Sequence, residues 1–200
     1  QPYKNPSLSP EERTADLLQR MTLEEKIAQI RHIHSWNIFE EQELNKSKLQ
    51  EFVGDLCWGF VEGFPLTGEN CHRHMRHIQE YMLNHTRLGI PIFTVAEALH
   101  GSVHEGSTIY PQNIALASTF NPELAYLRAT EISKELHYQG INQILAPCID
   151  VVRDLRWGRI EESYGEDPYL NGIFAYKEAK GYLDNGISPM LKHYGAHGNP

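Results

Sequence analysis

Between Ala146 and Pro168 the chain reads A-P-C-I-D-V-V-R-D-L-R-W-G-R-I-E-E-S-Y-G-E-D-P. Arg153, Arg156 and Arg159 face a matching set of carboxylates, Asp154, Glu161, Glu162, Glu166 and Asp167. Side chains of this kind can lock a long loop with ion pairs, or grip a polar ligand through charge-assisted hydrogen bonds. For any single residue the locking role is the simpler one. For the group, on a loop that follows a strand, at least one ligand contact is expected. Trp157 adds an aromatic plane that could stack on a sugar or pack beneath the loop. Further on, Lys192-His193 closes an apolar run. A lysine there could form a Schiff base if burial depressed its pKa, or could donate to a sugar hydroxyl or a carboxylate.

Other chemistries have weaker support. Cys71-His72-Arg73-His74-Met75-Arg76-His77 has the look of a metal-ligand cluster. On a helix, however, His74 and His77 share one flank while His72 lies across the apolar stripe, and two arginines interleave. A solvated helix face is expected there, and no metal is assigned. The chain has no Gly-rich phosphate loop, no G-x-S-x-G and no H-E-x-x-H, so nucleotide, serine-hydrolase and zincin readings lack support and no cofactor is expected. Cys57, Cys71 and Cys148 cannot all pair, and no C-x-x-C occurs among them. A net charge of −8 argues against nucleic acid and anionic membranes as partners. No apolar run approaches the roughly 20 residues of a membrane-spanning helix. The first residue is Gln1 rather than Met, which suggests a removed signal peptide or tag.

These residues need elements to position them, and 200 residues at 40% hydrophobic and 22% charged suffice for a packed core. Ser9-Pro10-Glu11-Glu12 predicts a helix running to about Arg20, and Thr22 with Glu25 forms a capping box for a second. Residues 37–48 are polar, a loop or short helix. A third helix is expected over Glu69 to Arg87, where Cys71, Met75, Ile78 and Met82 form one stripe. A fourth follows Asn121-Pro122-Glu123 and stops at Gly140, and a fifth runs from Pro168 to about Asp184. Four strands are expected, over Cys57–Gly63, Ile90–Val95, Ile144–Val152 and Ile187–Tyr194. Near-continuous apolar strands alternating with helices predict a parallel sheet wrapped by helices. Glu97, the Arg153–Arg159 run, Lys192 and His193 all fall at or just after strand C-terminal ends, the face that carries the active site in a (β/α)8 barrel. Such a barrel takes eight strands and about 250 residues, so the chain is expected to cover about its first half, roughly four β/α units. Open sheet edges would then favour self-association.

Five motifs in order, M-T-L-E-E-K-I (21–27), E-A-L-H-G (97–101), R-D-L-R-W-G-R (153–159), E-S-Y-G-E-D-P (162–168) and L-K-H-Y (191–194), resemble the N-terminal barrel domain of glycoside hydrolase family 3, the β-glucosidases and β-xylosidases. The resemblance runs from about Asn5 onward. It implies hydrolysis of terminal β-linked xylose or glucose from oligosaccharides by a retaining mechanism, in a periplasmic or secreted enzyme. It also implies that Glu97, Arg159, Lys192 and His193 contact the sugar in subsite −1, with Glu162 and His100 in support. The family's nucleophile is an aspartate in an S-D-W or T-D-W motif, and this chain contains neither. Its acid/base comes from a second domain or a distant loop. Residues 1–200 would therefore form an N-terminal portion of the catalytic domain, inactive alone. Glu97, where many glucosidases carry Asp, leans toward xylosides. A Schiff-base lyase using Lys192 and a non-catalytic sugar-binding remnant are the alternatives.

Overall fold

The computed structural model describes residues 1–63, 67–194 and 197–198. Helices α1 (Pro10–Arg20) and α2 (Leu23–Gln29) each open on a full capping box, Ser9 with Glu12 and Thr22 with Glu25. There follow β1 (His32–His34), α3 (Ser35–Ile38), β2 (Phe39–Glu40), β3 (Glu43–Leu44), α4 (Lys46–Val53) and β4 (Phe60–Glu62). The rest is α5 (Gly68–His85), β5 (Phe93–Ala96), α6 (Asn113–Ala117), α7 (Glu123–Gln139), β6 (Gln143–Ile144), α8 (Pro168–Asp184) and β7 (Ser188–Pro189). Asp167 caps α8 through the Leu170 N–H, and Gly140 ends α7 in the left-handed conformation at φ 78°.

Five strands form one sheet in the order β1-β4-β5-β6-β7, every pair parallel. Strand order follows chain order with no reversal. A barrel wall is built this way, whereas a doubly wound sheet has a switch point. One strand face carries Ile33, Val61, Ala96 and Ile144, all in the main core. Against it pack Leu49 and Val53 of α4, the Cys71–Met75–Ile78–Met82 stripe of α5, Ala129, Ile132 and Leu136 of α7, and Tyr182 of α8. Each large side chain so buried contributes roughly 1.5–3 kcal/mol. The other face, with His32, His34, Phe60, Glu62 and Phe93, is partly open, and Phe60 stacks on Phe93 at 5.6 Å.

Several expectations need correction. Among the described residues the sheet has five strands, not four: β1 is only three residues with a histidine at each end, too short and polar to read as an apolar run. Residues 37–48 hold the β2–β3 hairpin and the start of α4. The expected strand over residues 144–152 pairs only at Gln143–Ile144, plus a bridge from Cys148 to Lys192. Its remainder is apolar because it is buried, not because it is laddered. His74 is not solvated: it is 2% exposed, with Phe39 of the hairpin set edge-on against its ring.

Candidate active site

Glu97 follows β5 directly, and Lys192 lies just beyond β7. The Lys192 Nζ donates to both Glu97 carboxylate oxygens, at 3.0 and 2.9 Å. The lysine side chain is 11% exposed and the glutamate 43%, so the pair stands at the edge of solvent with the carboxylate outermost. Lys192 is anchored by backbone bonds on both sides, its N–H to Pro147 O and its O to the Ile149 N–H. The Ala146–Pro147 and Lys192–His193 peptides are both cis.

His193 sits between two charged groups. Arg159 Nη1 lies 3.2 Å from its Nε2. A guanidinium only donates, so Nε2 accepts and the proton is on Nδ1. That Nδ1–H donates to Asp150 Oδ2 at 2.7 Å. Burial pushes the Asp150 carboxyl up, but the bonds from His193 and the Cys148 thiol outweigh it and hold it below the usual range. The Cys148 thiol is pushed to about 12, chiefly by burial, and is inert as a nucleophile.

Arg159 is gripped by Glu162 in a fork, Nε to Oε1 at 2.7 Å and Nη2 to Oε2 at 2.6 Å, which holds the guanidinium above its ordinary value. Behind this pair, the Asn113 amide donates to Glu162 O at 2.7 Å. Arg128 Nη2 donates to Asn113 Oδ1 and to Glu178 Oε2, both at 2.5 Å. The Tyr164 hydroxyl donates to the same Glu178 oxygen. A buried polar chain from α7 and α8 thus ends on the turn that carries Glu162.

Of the residues singled out in the sequence, Glu97 and Lys192 meet, as do Arg159, His193 and Glu162. His100 does not join them: its Nδ1 lies 3.1 Å from Tyr110 O and its own O accepts the Tyr110 N–H, so it ties a loop to itself. Arg156, itself exposed, pairs with partly buried Asp154. Trp157 is buried against Cys148 and Val152, beneath the loop. Asp150, Asn113, Arg128 and Glu178 were not singled out. Asp150 had a signal, standing two residues after Cys148 on the same face of an extended run. The other three gave none, since their meeting depends on how helices pack. A broad cleft of about 690 Å³ lined by Leu49, His77, Tyr81 and His85 belongs to the outer helical layer, and none of these strand-end residues lines it.

Comparison with known proteins gives the arrangement its context. The profile of the glycosyl hydrolase family 3 N-terminal domain matches residues 22–200. A periplasmic β-glucosidase of Salmonella typhimurium is 32% identical over 98% of the chain and 25% of its own length. A β-xylosidase of Formosa agariphila is 46% identical over 42% of the chain and 12% of its length. Among solved structures, a β-glucosidase from Erythrobacter marinus superposes with a TM-score of 0.87 at 29% identity, over 96% of this chain and 26% of that one. The chain therefore spans about a quarter of the length of the relatives it matches from end to end. With the family profile matching residues 22–200, nearly the whole chain, the chain belongs to glycosyl hydrolase family 3.

Proposed function

We propose that this chain forms one wall of the sugar pocket of a retaining glycoside hydrolase that removes terminal β-linked xylose or glucose. The observation that carries the reading is the Lys192–Glu97 pair beside the Arg159–His193 contact. It sets fixed donors and a free-edged carboxylate acceptor on one rim, suited to several hydroxyls of one ring. Glu97 takes outer hydroxyls of the sugar, and Lys192, Arg159 and His193 contact the same ring. Glu162 and Asp150 hold Arg159 and His193 in place. Retaining hydrolysis needs two carboxylates about 5 Å apart, one nucleophile and one acid/base. On this reading residues 1–200 are the N-terminal portion of a (β/α)8 catalytic domain, and both carboxylates come from the remaining barrel and a second domain. The Schiff-base alternative is disfavoured, because Lys192 is spent on both oxygens of a carboxylate rather than held as a desolvated amine.

Glu97 reaches one methylene further into the pocket than an aspartate, which leaves less room for a hydroxymethyl group and favours xylosides. The names of the relatives include both activities. The word "periplasmic" in one of them supports an extracytoplasmic location, and no helix among the described residues is long and apolar enough to cross a membrane.

The test uses the full-length enzyme on nitrophenyl β-xyloside and β-glucoside. A large glucoside preference would defeat the reading of Glu97. Lys192→Met removes charge-assisted bonds worth about 1.5–3 kcal/mol each, so kcat/KM should fall at least about tenfold. Wild-type kinetics in that variant would remove Lys192 from the pocket. Turnover of an aryl β-glycoside by the purified 200-residue chain would sink the placement of the nucleophile.

A further inference from the structure

The open face of the sheet carries a second cluster, outside the pocket wall just described. His32 and His34 alternate on β1 and so project to the same side. Glu62 on β4 is the register partner of His34 and projects with them. His32 Nε2 lies 2.8 Å from His34 Nε2 and 3.6 Å from Glu62 Oε1. His34 Nδ1 lies 3.1 Å from that same Glu62 oxygen. One donor atom from each of the three residues falls within 4.8 Å of the others.

We propose that His32, His34 and Glu62 form a binding site for a divalent transition ion, Zn²⁺ foremost. Two imidazoles and one carboxylate are a borderline-soft donor set, which suits zinc and not calcium or magnesium. Zinc bonds of about 2.0–2.2 Å in a tetrahedron set neighbouring donors about 3.4 Å apart. With His34 offering Nδ1 and His32 offering Nε2, the 3.1 and 3.6 Å separations of these atoms from the Glu62 oxygen bracket that value. The 2.8 Å contact is the hydrogen bond the two histidines share without an ion. The His34 Nδ1 is buried and has no hydrogen-bond partner, although Glu62 is beside it.

The neighbours hold the donors in place before an ion arrives. The His34 ring stacks on Trp36 at 3.8 Å, and its backbone N–H donates to Asn37 Oδ1 at 3.2 Å. The Ser35 hydroxyl donates to Gly63 O, tying the segment after β1 to the segment after β4. Gly63 stands close against the site: a Cβ there would come within 3.8 Å of His34 Nδ1. Three protein donors leave a fourth position for water, and Glu62 is in register with Val95, two residues before Glu97.

The experiment titrates Zn²⁺ into the EDTA-stripped, dialysed chain against a chromophoric chelator, with Co²⁺ absorption as a second readout. The proposal expects one equivalent per chain at micromolar affinity or tighter, and a visible Co²⁺ spectrum of four-coordinate type. Glu62→Gln and His32→Gln should each weaken binding at least about tenfold. Both side chains are partly exposed, so the folded chain should tolerate these changes, as circular dichroism would report. His72→Ala/His77→Ala, on the histidine-rich helix, should leave binding unchanged. The proposal is overturned if no equivalent binds tighter than about 100 μM. Binding that survives Glu62→Gln and His32→Gln but is lost with His72→Ala/His77→Ala would also overturn it.

Discussion

Removing Arg128 should destabilise the chain severely, and removing Glu178 with it should restore part of the loss. The Arg128 side chain is 3% exposed and that of Glu178 0%. Burial lowers the affinity of Arg128 for its proton, but Glu178 together with the Tyr164 and Tyr182 hydroxyls outweighs it and holds the guanidinium above its ordinary value. Arg128 donates to Pro111 O at 2.9 Å as well as to Asn113 and Glu178. Arg128→Met leaves two neutral acceptors short of a bond, at about 1 kcal/mol each. It also strands a fully buried carboxylate, and breaking such a pair costs about 3–5 kcal/mol in all. Arg128→Met/Glu178→Met leaves no stranded charge. Its remaining debts are neutral: Pro111 O, Asn113 Oδ1 and the Tyr164 hydroxyl. Urea unfolding followed by circular dichroism should therefore place the double variant at least about 1 kcal/mol above Arg128→Met. A double variant as unstable as the sum of the two singles would refute the reasoning. It would mean that the two side chains act independently and that stranded charge is not the dominant cost.

A pair of glycines on α8 should respond to alanine with opposite signs. A Cβ at Gly181 would stand 2.7 Å from Tyr126 O and 2.8 Å from the Ala129 Cβ, whereas Gly172 has nothing within 4 Å. Gly172→Ala should stabilise by up to about 1 kcal/mol through helix propensity, and Gly181→Ala should destabilise because overpacking of about 1–3 kcal/mol exceeds that gain. Thermal melts of both would show it, and a stabilised Gly181→Ala would contradict the close α7–α8 contact. Asp150 makes a pH prediction. Its folded pKa lies below the ordinary value, so its contribution is present above about pH 4 and is lost as pH falls through the folded value. Asp150→Asn should lower stability at pH 7 by about 1–3 kcal/mol and flatten the acid limb below pH 4. An unchanged acid limb would count against the Asp150–His193 bond.

The order of elements was legible in the chain because local chemistry marks it. Ser9 and Thr22 with their glutamates, the Cys71–Met82 stripe, Gly140 and Asp167-Pro168 each act within a few residues of themselves, and α1, α2, α5, α7 and α8 stand where those signals put them. Strand length was less legible. Residues 144–152 are apolar throughout yet pair only at their start, because burial requires apolar side chains whether or not the backbone is laddered. β1 was invisible for the opposite reason: its outward residues are histidines, and its strand state comes from pairing with β4.

The candidate site divides along the same line. Glu97, Lys192 and His193 stood where strands end and could be picked from the sequence for that reason, whereas Arg159 and Glu162 were singled out from the charged loop by the family resemblance. Which of them touch could not be picked, since Lys192 meets Glu97 across 95 positions. Asp150 under His193, and the chain from Arg128 through Asn113 to Glu162, exist only once α7 and α8 lie against the sheet. The β1–β4 ladder, not helix packing, sets Glu62 beside His32 and His34. Side-chain type and short-range spacing are written in the chain. Contacts across tens of residues are selected by which faces bury together, and that depends on the whole sheet at once.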